Sequence, residues 1–273
     1  MTKILDGKEL AGFIKERQAH IVREMRTRKI FPKLAIVRDS DNPVITKYVN
    51  LKKRYGEDIG VEVFDIKIDA VCDAASLKKA QNEISKLNDD KNISGIIVQL
   101  PLENKDLTDG LVNLIAVEKD VDGLNQKVAK HRFESATATA INWLLAGNGI
   151  EINNKRVALV GYGRLVGRPL ERILNNSGIK TKVFRHDSNL EELKNFDVII
   201  TATGVPHLIK SDMVASGAIV VDAGTASEDG VLVGDVDEKV REREDLSAIT
   251  PKIGGVGPLT VCVLFDDVIQ AAE

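Results

Sequence analysis

The sequence predicts an α/β protein of two domains, each a parallel sheet wrapped by crossover helices. Two patterns and one length lead there. Apolar runs such as Ile96-Ile-Val-Gln-Leu100 alternate with segments of helical period through the first half. The second half repeats the alternation around a glycine-punctuated turn, VALVGYGRLVGRPL, from Val157 to Leu170. With 273 residues the chain can fill two cores.

The elements follow in order. Apolar and charged residues recur at helical spacing from Asp6, a candidate N-cap, to Thr27. Lys33 to Arg38 reads as a strand, Asp39 to Pro43 as a loop, and residues 44–57 as a helix. A strand at 61–67, a helix at 75–88 and a buried strand at 96–100, closed by Pro101, complete the first half. A helix at 137–148 then precedes strand 156–160, the glycine turn and helix 166–177. Strand 180–185, helix 189–194 and strands 197–201 and 218–222 give a doubly wound, Rossmann-type sheet. A glycine-rich loop feeds one last amphipathic helix, expected to return to the first domain. The expected division is 1–135 with 255–273 for the substrate domain, and 136–254 for the dinucleotide domain.

Bulk composition removes several classes of function. A formal charge of −3 gives no reason for a nucleic-acid or membrane partner, although Lys52-Lys53-Arg54 is locally basic. No stretch approaches the roughly 20 apolar residues of a membrane span, and MTKILDGKELA lacks the apolar centre of a signal peptide. A cytoplasmic protein is expected. Cys72 and Cys262 lie far apart, and His20, His131, His186 and His207 form no ligand-spaced cluster, so no metal site is expected.

Several residue groups are shaped for chemistry. Gly161, Gly163 and Gly167 allow a tight turn whose following helix offers N–H groups to a pyrophosphate; an unliganded turn is the plainer reading. Tyr48 and Lys52 share one helical face, and burial can bring a lysine far below its usual pKa of about 10.4. A surface lysine beside a half-buried tyrosine has the same spacing. Gln99 sits near the carboxyl end of a buried strand, where ligands bind and an amide needs a partner. In KDVDG, Asp120 or Asp122 could accept two hydrogen bonds from an amino-bearing heterocycle, or simply form an Asp-Gly turn. Gly254-Gly-Val-Gly-Pro258 marks another close backbone approach, with Lys252 available for a phosphate.

Taken together, the chain resembles the bifunctional methylenetetrahydrofolate dehydrogenase/methenyltetrahydrofolate cyclohydrolase family. The matches run in order: LDGKELA (Leu5 to Ala11), DNP…YVNLK (Asp41 to Lys52), GIIVQLPL (Gly95 to Leu102), KDVDG (Lys119 to Gly123), LVGYGRLVGRPL (Leu159 to Leu170), GDVD (Gly234 to Asp237) and TPKIGGVGPLT (Thr250 to Thr260). The resemblance implies oxidation of 5,10-methylenetetrahydrofolate with a nicotinamide cofactor, then hydrolysis of the methenyl product to 10-formyltetrahydrofolate. It makes Lys52 the proton-moving lysine, Tyr48 its orienting neighbour, Gln99 the residue that tunes its protonation, and Asp122, with Asp120, the pterin-recognising acid. Leu100, Pro101, Gly254, Gly255 and Pro258 complete the implied folate site. Thr137, Gly161, Tyr162, Gly163, Arg164, Val166, Gly167, Asp187, Thr203, Gly204 and Thr225 make up the implied cofactor site. A homodimer is also implied.

This chain departs from the family pattern in places. Ile45 replaces a serine, Ser135-Ala-Thr-Ala138 replaces Pro-Cys-Thr-Pro, Tyr162 replaces an arginine, Asp187 replaces a serine, and Lys252-Ile253 replaces Val-Pro. Asp187 lies about twenty residues past Gly167, the spacing of a ribose-binding acid, and so favours NAD over NADP. Arg164, Arg168 and Arg185 are the counterweights that could reach a 2′-phosphate. Two other readings keep the same architecture: a folate- or nucleotide-binding protein without catalysis, and a dehydrogenase of another small substrate.

Overall fold

The computed structural model describes residues 1–128, 130–228 and 231–273. Along the chain run β1 (Lys3–Ile4), α1 (Gly7–Thr27), β2 (Lys33–Arg38), α2 (Pro43–Ile59), β3 (Glu62–Lys67), α3 (Ala74–Asp89) and β4 (Gly95–Val98). Next come α4 (Thr108–Val112), α5 (Ala136–Gly147), β5 (Val157–Val160), α6 (Gly167–Asn176), β6 (Thr181–Phe184), β7 (Val198–Thr201) and β8 (Ile219–Asp222). The chain finishes with β9 (Ala226–Glu228), β10 (Val231–Val233), α7 (Glu238–Arg241), β11 (Ala248–Ile249) and α8 (Val256–Ala271). It divides into two compact units, one of Phe13–Ala136 with Val261–Glu273, the other of Met1–Gly12 with Thr137–Thr260.

The first unit holds a parallel sheet in the order β3-β2-β4. Ala35, Val37, Ile96 and Val98 point from it into a core with Ala80 and Ile84 of α3 and Leu111 and Val112 of α4. Basic side chains serve the carbonyls at the ends of its helices. Lys119 donates to the oxygens of Leu87, Asn88 and Asp90 at 2.7–2.9 Å, and Arg26 to Gly60 O at 2.7 Å. Both placements set positive charge against the negative end of a helix dipole.

The second unit is a parallel sheet ordered β1-β11-β8-β7-β5-β6, with β9 and β10 paired separately as an antiparallel ribbon. The chain leaves β5 for the edge strand β6 and returns past it to β7. The carboxyl ends of β5 and β7 therefore flank the topological switch point, the place where open α/β sheets hold ligands. Ala158, Val160, Ile199 and Val220 carry the core of this sheet.

Four details differ from the sequence reading. Residues 1–12 cluster with the nucleotide unit, not with the substrate domain, because β1 pairs in parallel with β11. Strands of two residues have no period to read, and both residues of β1 are exposed. The strand expected to reach Leu100 ends at Val98. The segment expected as a helix at 189–194 is a 3-10 helix, Leu190–Asn195. Residues 255–260, expected with the substrate domain, also cluster with the nucleotide unit. Asp6 accepts from Lys8 N at 2.7 Å, as an N-cap does.

Candidate active site

Helix α2 is fixed at both ends before it presents any chemistry. Asn42 accepts from Val44 N, Pro43 occupies the first turn, and Gly60 closes the helix with a left-handed φ of 86°. Ile45, where the family pattern has serine, is buried at 5% exposure and packs this first turn. Tyr48 and Lys52 then lie one turn apart on the same helix.

Because β4 stops at Val98, Gln99 leaves the sheet with one backbone bond, donated to Val37 O at 2.8 Å. Its side chain turns to the helix. Lys52 Nζ donates to Gln99 Oε1 at 2.7 Å, while Gln99 Nε2 donates to Leu100 O at 3.1 Å. The amide is satisfied on both sides, so its oxygen is aimed at the amine. Burial pulls the Lys52 ammonium below the ordinary lysine range, and the charge of Asp122 opposes that fall. Burial equally pushes the Asp122 carboxyl up, and Lys52 pulls it back. Tyr48 is raised by burial alone.

The two aspartates of KDVDG separate in role. Asp120 is 3% exposed and accepts from Asn125 N at 2.8 Å, inside its own loop. Burial nevertheless raises its carboxyl to about 6. Asp122 is coupled to Lys52 instead. The turn between them and residue 124 requires glycine. Gly123 has φ 62°, and a Cβ there would stand 2.6 Å from the backbone of Glu134.

One acid that feels the charge of Asp122 is not among the residues singled out from the sequence. Asp267 in α8 has its carboxyl pushed up to about 9 by burial, with the charges of Asp266 and Asp122 adding to the shift. Its neighbour Asp266 is held by Arg17 at 2.8 Å and Gln18 at 3.1 Å. A pair of acids inside the apolar run VCVLFDDVI was the available signal. At neutral pH Asp267 therefore holds its proton, and of the two acids it is Asp122 whose charge acts on Lys52.

In the nucleotide unit the turn after β5 distinguishes its three glycines. A Cβ on Gly161 (φ 96°) would lie 2.6 Å from Ala202 O, and one on Gly167 would lie 2.3 Å from Gly161 O. Those two are demanded by packing. A Cβ on Gly163 would meet nothing within 4 Å, so the backbone there is open to a ligand. Helix α6 begins after Val166 with no side-chain cap. Arg168 N donates back to Gly163 O at 3.1 Å and Pro169 has no N–H, so the N–H of Gly167 is the one the first turn leaves for an anion, with Arg164 and Arg168 close in sequence. This is a cradle that fits a dinucleotide pyrophosphate.

Around the turn, Tyr162 donates its hydroxyl to Glu171 at 2.6 Å, and its ring lies 4.0 Å beneath the Arg185 guanidinium. Arg185 directly follows β6, and Asp187 is exposed two residues on. Thr203 and Gly204 follow β7, Thr225 follows β8 and is exposed, and Thr137 lies in the first turn of α5.

The second glycine-rich segment makes a close backbone approach within its own unit. Gly7 N donates to Gly254 O at 2.8 Å, and a Cβ on Gly7 would lie 1.9 Å from Gly255 O. The motifs at Gly7 and at Gly254-Gly255 thus pack on one another, with Pro258 following in the first turn of α8. Lys252, expected to be available to a phosphate, is ion-paired with Glu238 at 2.6 Å.

Residues 5–122 match the family model for the tetrahydrofolate dehydrogenase/cyclohydrolase catalytic domain, and residues 135–273 match the corresponding NAD(P)-binding domain. The chain is 37% identical over 281 residues to the bifunctional protein FolD of Lactobacillus helveticus, covering 99% of this chain and 97% of that one. Among solved structures it resembles the bifunctional FolD methylenetetrahydrofolate dehydrogenase/cyclohydrolase of Campylobacter jejuni, with TM-score 0.92, 32% identity and coverage of 100% and 99%. It also resembles the Trypanosoma brucei FolD enzyme solved with NADP cofactor and inhibitor, with TM-score 0.88, 27% identity and coverage of 99% and 97%. With one catalytic and one NAD(P)-binding half matched in sequence and in fold, the chain belongs to the tetrahydrofolate dehydrogenase/cyclohydrolase family and serves one-carbon folate metabolism.

Proposed function

We propose that Lys52 moves the protons of the cyclohydrolase step, that Gln99 and Tyr48 orient it, and that Asp122 accepts the amino-pyrimidine edge of the pterin. The observation that carries this reading is the 2.7 Å bond from Lys52 to Gln99, on a lysine whose charge burial disfavours. Leu100, Pro101, Asp120, Gly254, Gly255 and Pro258 accompany these residues by family resemblance. Water adding to the methenyl carbon must shed a proton, and a neutral lysine beside that carbon takes it. The lysine then returns a proton to N5 as the carbon–N5 bond breaks, leaving the formyl group on N10, and one proton passes to solvent. In the preceding oxidation a bound nicotinamide supplies the acceptor for the methylene hydride. Thr137, Gly161, Gly163, Arg164, Val166, Gly167, Thr203, Gly204 and Thr225 are the residues assigned to hold it.

We infer NAD as the favoured dinucleotide. Asp187 can accept the ribose 2′-hydroxyl bond and repels a 2′-phosphate. Arg185, which could have received that phosphate, has its guanidinium on the Tyr162 ring. A cytoplasmic homodimer is the companion reading. The dimer rests on family resemblance and is tested by sedimentation at micromolar concentration, where a single monomeric species would refute it.

Lys52→Met should abolish hydrolysis of preformed methenyltetrahydrofolate, with a loss of about 10²-fold or more, the usual weight of acid–base catalysis. Its circular dichroism and melting should stay close to wild type. Near-normal hydrolysis by the folded variant would remove the lysine from the mechanism.

The coupling of Lys52 to Asp122 has a signed consequence for pH. Hydrolysis needs neutral lysine, so the rate rises with pH through the depressed Lys52 pKa. The Asp122 charge raises that pKa. Asp122→Asn should therefore move the rising limb of the kcat profile to lower pH while weakening folate binding more than dinucleotide binding. A limb that stays in place would separate the two residues.

For the cofactor, the measurement is the ratio of kcat/KM for NAD and NADP in wild type and in Asp187→Ser. Wild type should prefer NAD, and the variant should shift toward NADP by about tenfold, the worth of about 1.4 kcal/mol. A wild type that prefers NADP, with a ratio unmoved by the substitution, would reject the role given to this carboxylate.

A further inference from the structure

None of these roles uses Gly234-Asp-Val-Asp237, although the segment is placed among the loops at the carboxyl edge of the nucleotide sheet. Asp235 is fully buried. Its Oδ2 accepts two short bonds, from Thr201 Oγ1 and from Thr203 N, both at 2.6 Å. Its Oδ1 has no hydrogen-bond partner among the described residues. It packs over Gly224 so closely that a Cβ there would lie 2.0 Å away.

A second carboxylate holds the first in place. Asp222 Oδ1 accepts from Gly224 N at 3.0 Å and from Asp235 N at 3.1 Å. Its Oδ2 accepts from Val236 N at 3.1 Å and from Arg241 Nη2 at 2.5 Å. Arg241 Nη1 donates in turn to Thr250 O at 2.6 Å. Gly234 is pinned for the same reason as Gly224: its Cβ would stand 2.0 Å from Asp222 Oδ2. The two acids thus lock together the loops after β7 and β8 and the segment after β10.

Burying an acid where a plain packing residue would fill the space is costly, so the return has to lie in what the acid holds. What Asp235 holds is the turn Thr201-Ala-Thr-Gly204. That turn lies directly against the glycine turn, with Ala202 O 2.6 Å and Thr203 Cγ2 3.1 Å from the place of a Cβ on Gly161. Both turns border the switch point.

We propose that Asp235 is a positioning residue for the dinucleotide: its carboxylate, acting through Thr203, fixes the turn after β7 against the glycine turn after β5. The proposal rests on the reading that Thr203, Gly204 and Thr225 border the cofactor. Asparagine is nearly the same shape but removes the charge that strengthens both bonds. It also replaces one acceptor oxygen with an NH₂ donor.

The test uses the full chain and reads its two reactions separately. In Asp235→Asn the KM for the preferred dinucleotide should rise about tenfold, the scale of one compromised charge-assisted bond, with little change in kcat. Hydrolysis of preformed methenyltetrahydrofolate should stay within about twofold of wild type, so loss of both activities together would mean a merely structural role and overturn the proposal. An unchanged dinucleotide KM would overturn it too. Thr201→Val provides a milder variant that keeps the carboxylate and removes one donor. Its dinucleotide KM should rise about threefold with hydrolysis unchanged, and no rise would again reject the assignment. Isothermal titration of wild type with NAD and NADP separates the layers. Wild type that binds neither would overturn the cofactor reading and this proposal together, whereas binding by wild type that Asp235→Asn matches would overturn only the proposal.

Discussion

The bond from Lys52 to Gln99 is the interaction around which the first unit is arranged. An amine can act as a base only if its charged form is made unfavourable, and burial does that here. Burial alone would leave the amine without a fixed direction. Gln99 supplies the direction because it is itself tied to Leu100 O, and it is free to turn because β4 ends one residue earlier. Asp122 sets the opposite limit by favouring the charge. Removing one partner of such a buried pair strands the other, which is why these groups act as a set.

The nucleotide unit achieves precision by a different means. Its turns are placed by backbone contacts too close for any side chain, at Gly161 and Gly167, and by two buried carboxylates that pack as closely on Gly224 and Gly234 and accept from backbone and hydroxyl donors. Gly163 stands apart because nothing in the protein crowds it. The same residue type has two causes within one turn, packing at Gly161 and access at Gly163.

Much of this is legible in the amino-acid sequence alone. The four-residue step from Tyr48 to Lys52 and the apolar run ending at Gln99 are periodic local signals, and periodicity survives without three-dimensional context. The glycine turn was readable for the same reason. Other features were hidden for physical causes. Strands β1 and β11 have two residues each, too short to show alternation. The environment of Asp267 depends on Asp122, a residue far away in sequence. Lys252 reads as available because its partner Glu238 is on another element, and the contact of Gly7 with Gly254 joins segments far apart in sequence. Asp120 and Asp122, equivalent as letters, were separated only by the direction in which the loop turns them.

The pairing of β1 with β11 bears on how the chain is made. Lys3 lies beside Ala248, and Leu5 N donates to Ile249 O at 2.8 Å. On the ribosome the segment around Lys3 is therefore synthesised long before its partner exists. Long-range parallel pairing of this kind is slow because the loop-closure entropy is spent before the contact forms. The edge of the nucleotide sheet is closed only when nearly the whole sequence up to β11 has emerged. Through most of elongation the strand Ile249 later receives is an unpaired ribbon, in a cell where exposed backbone edges recruit other chains.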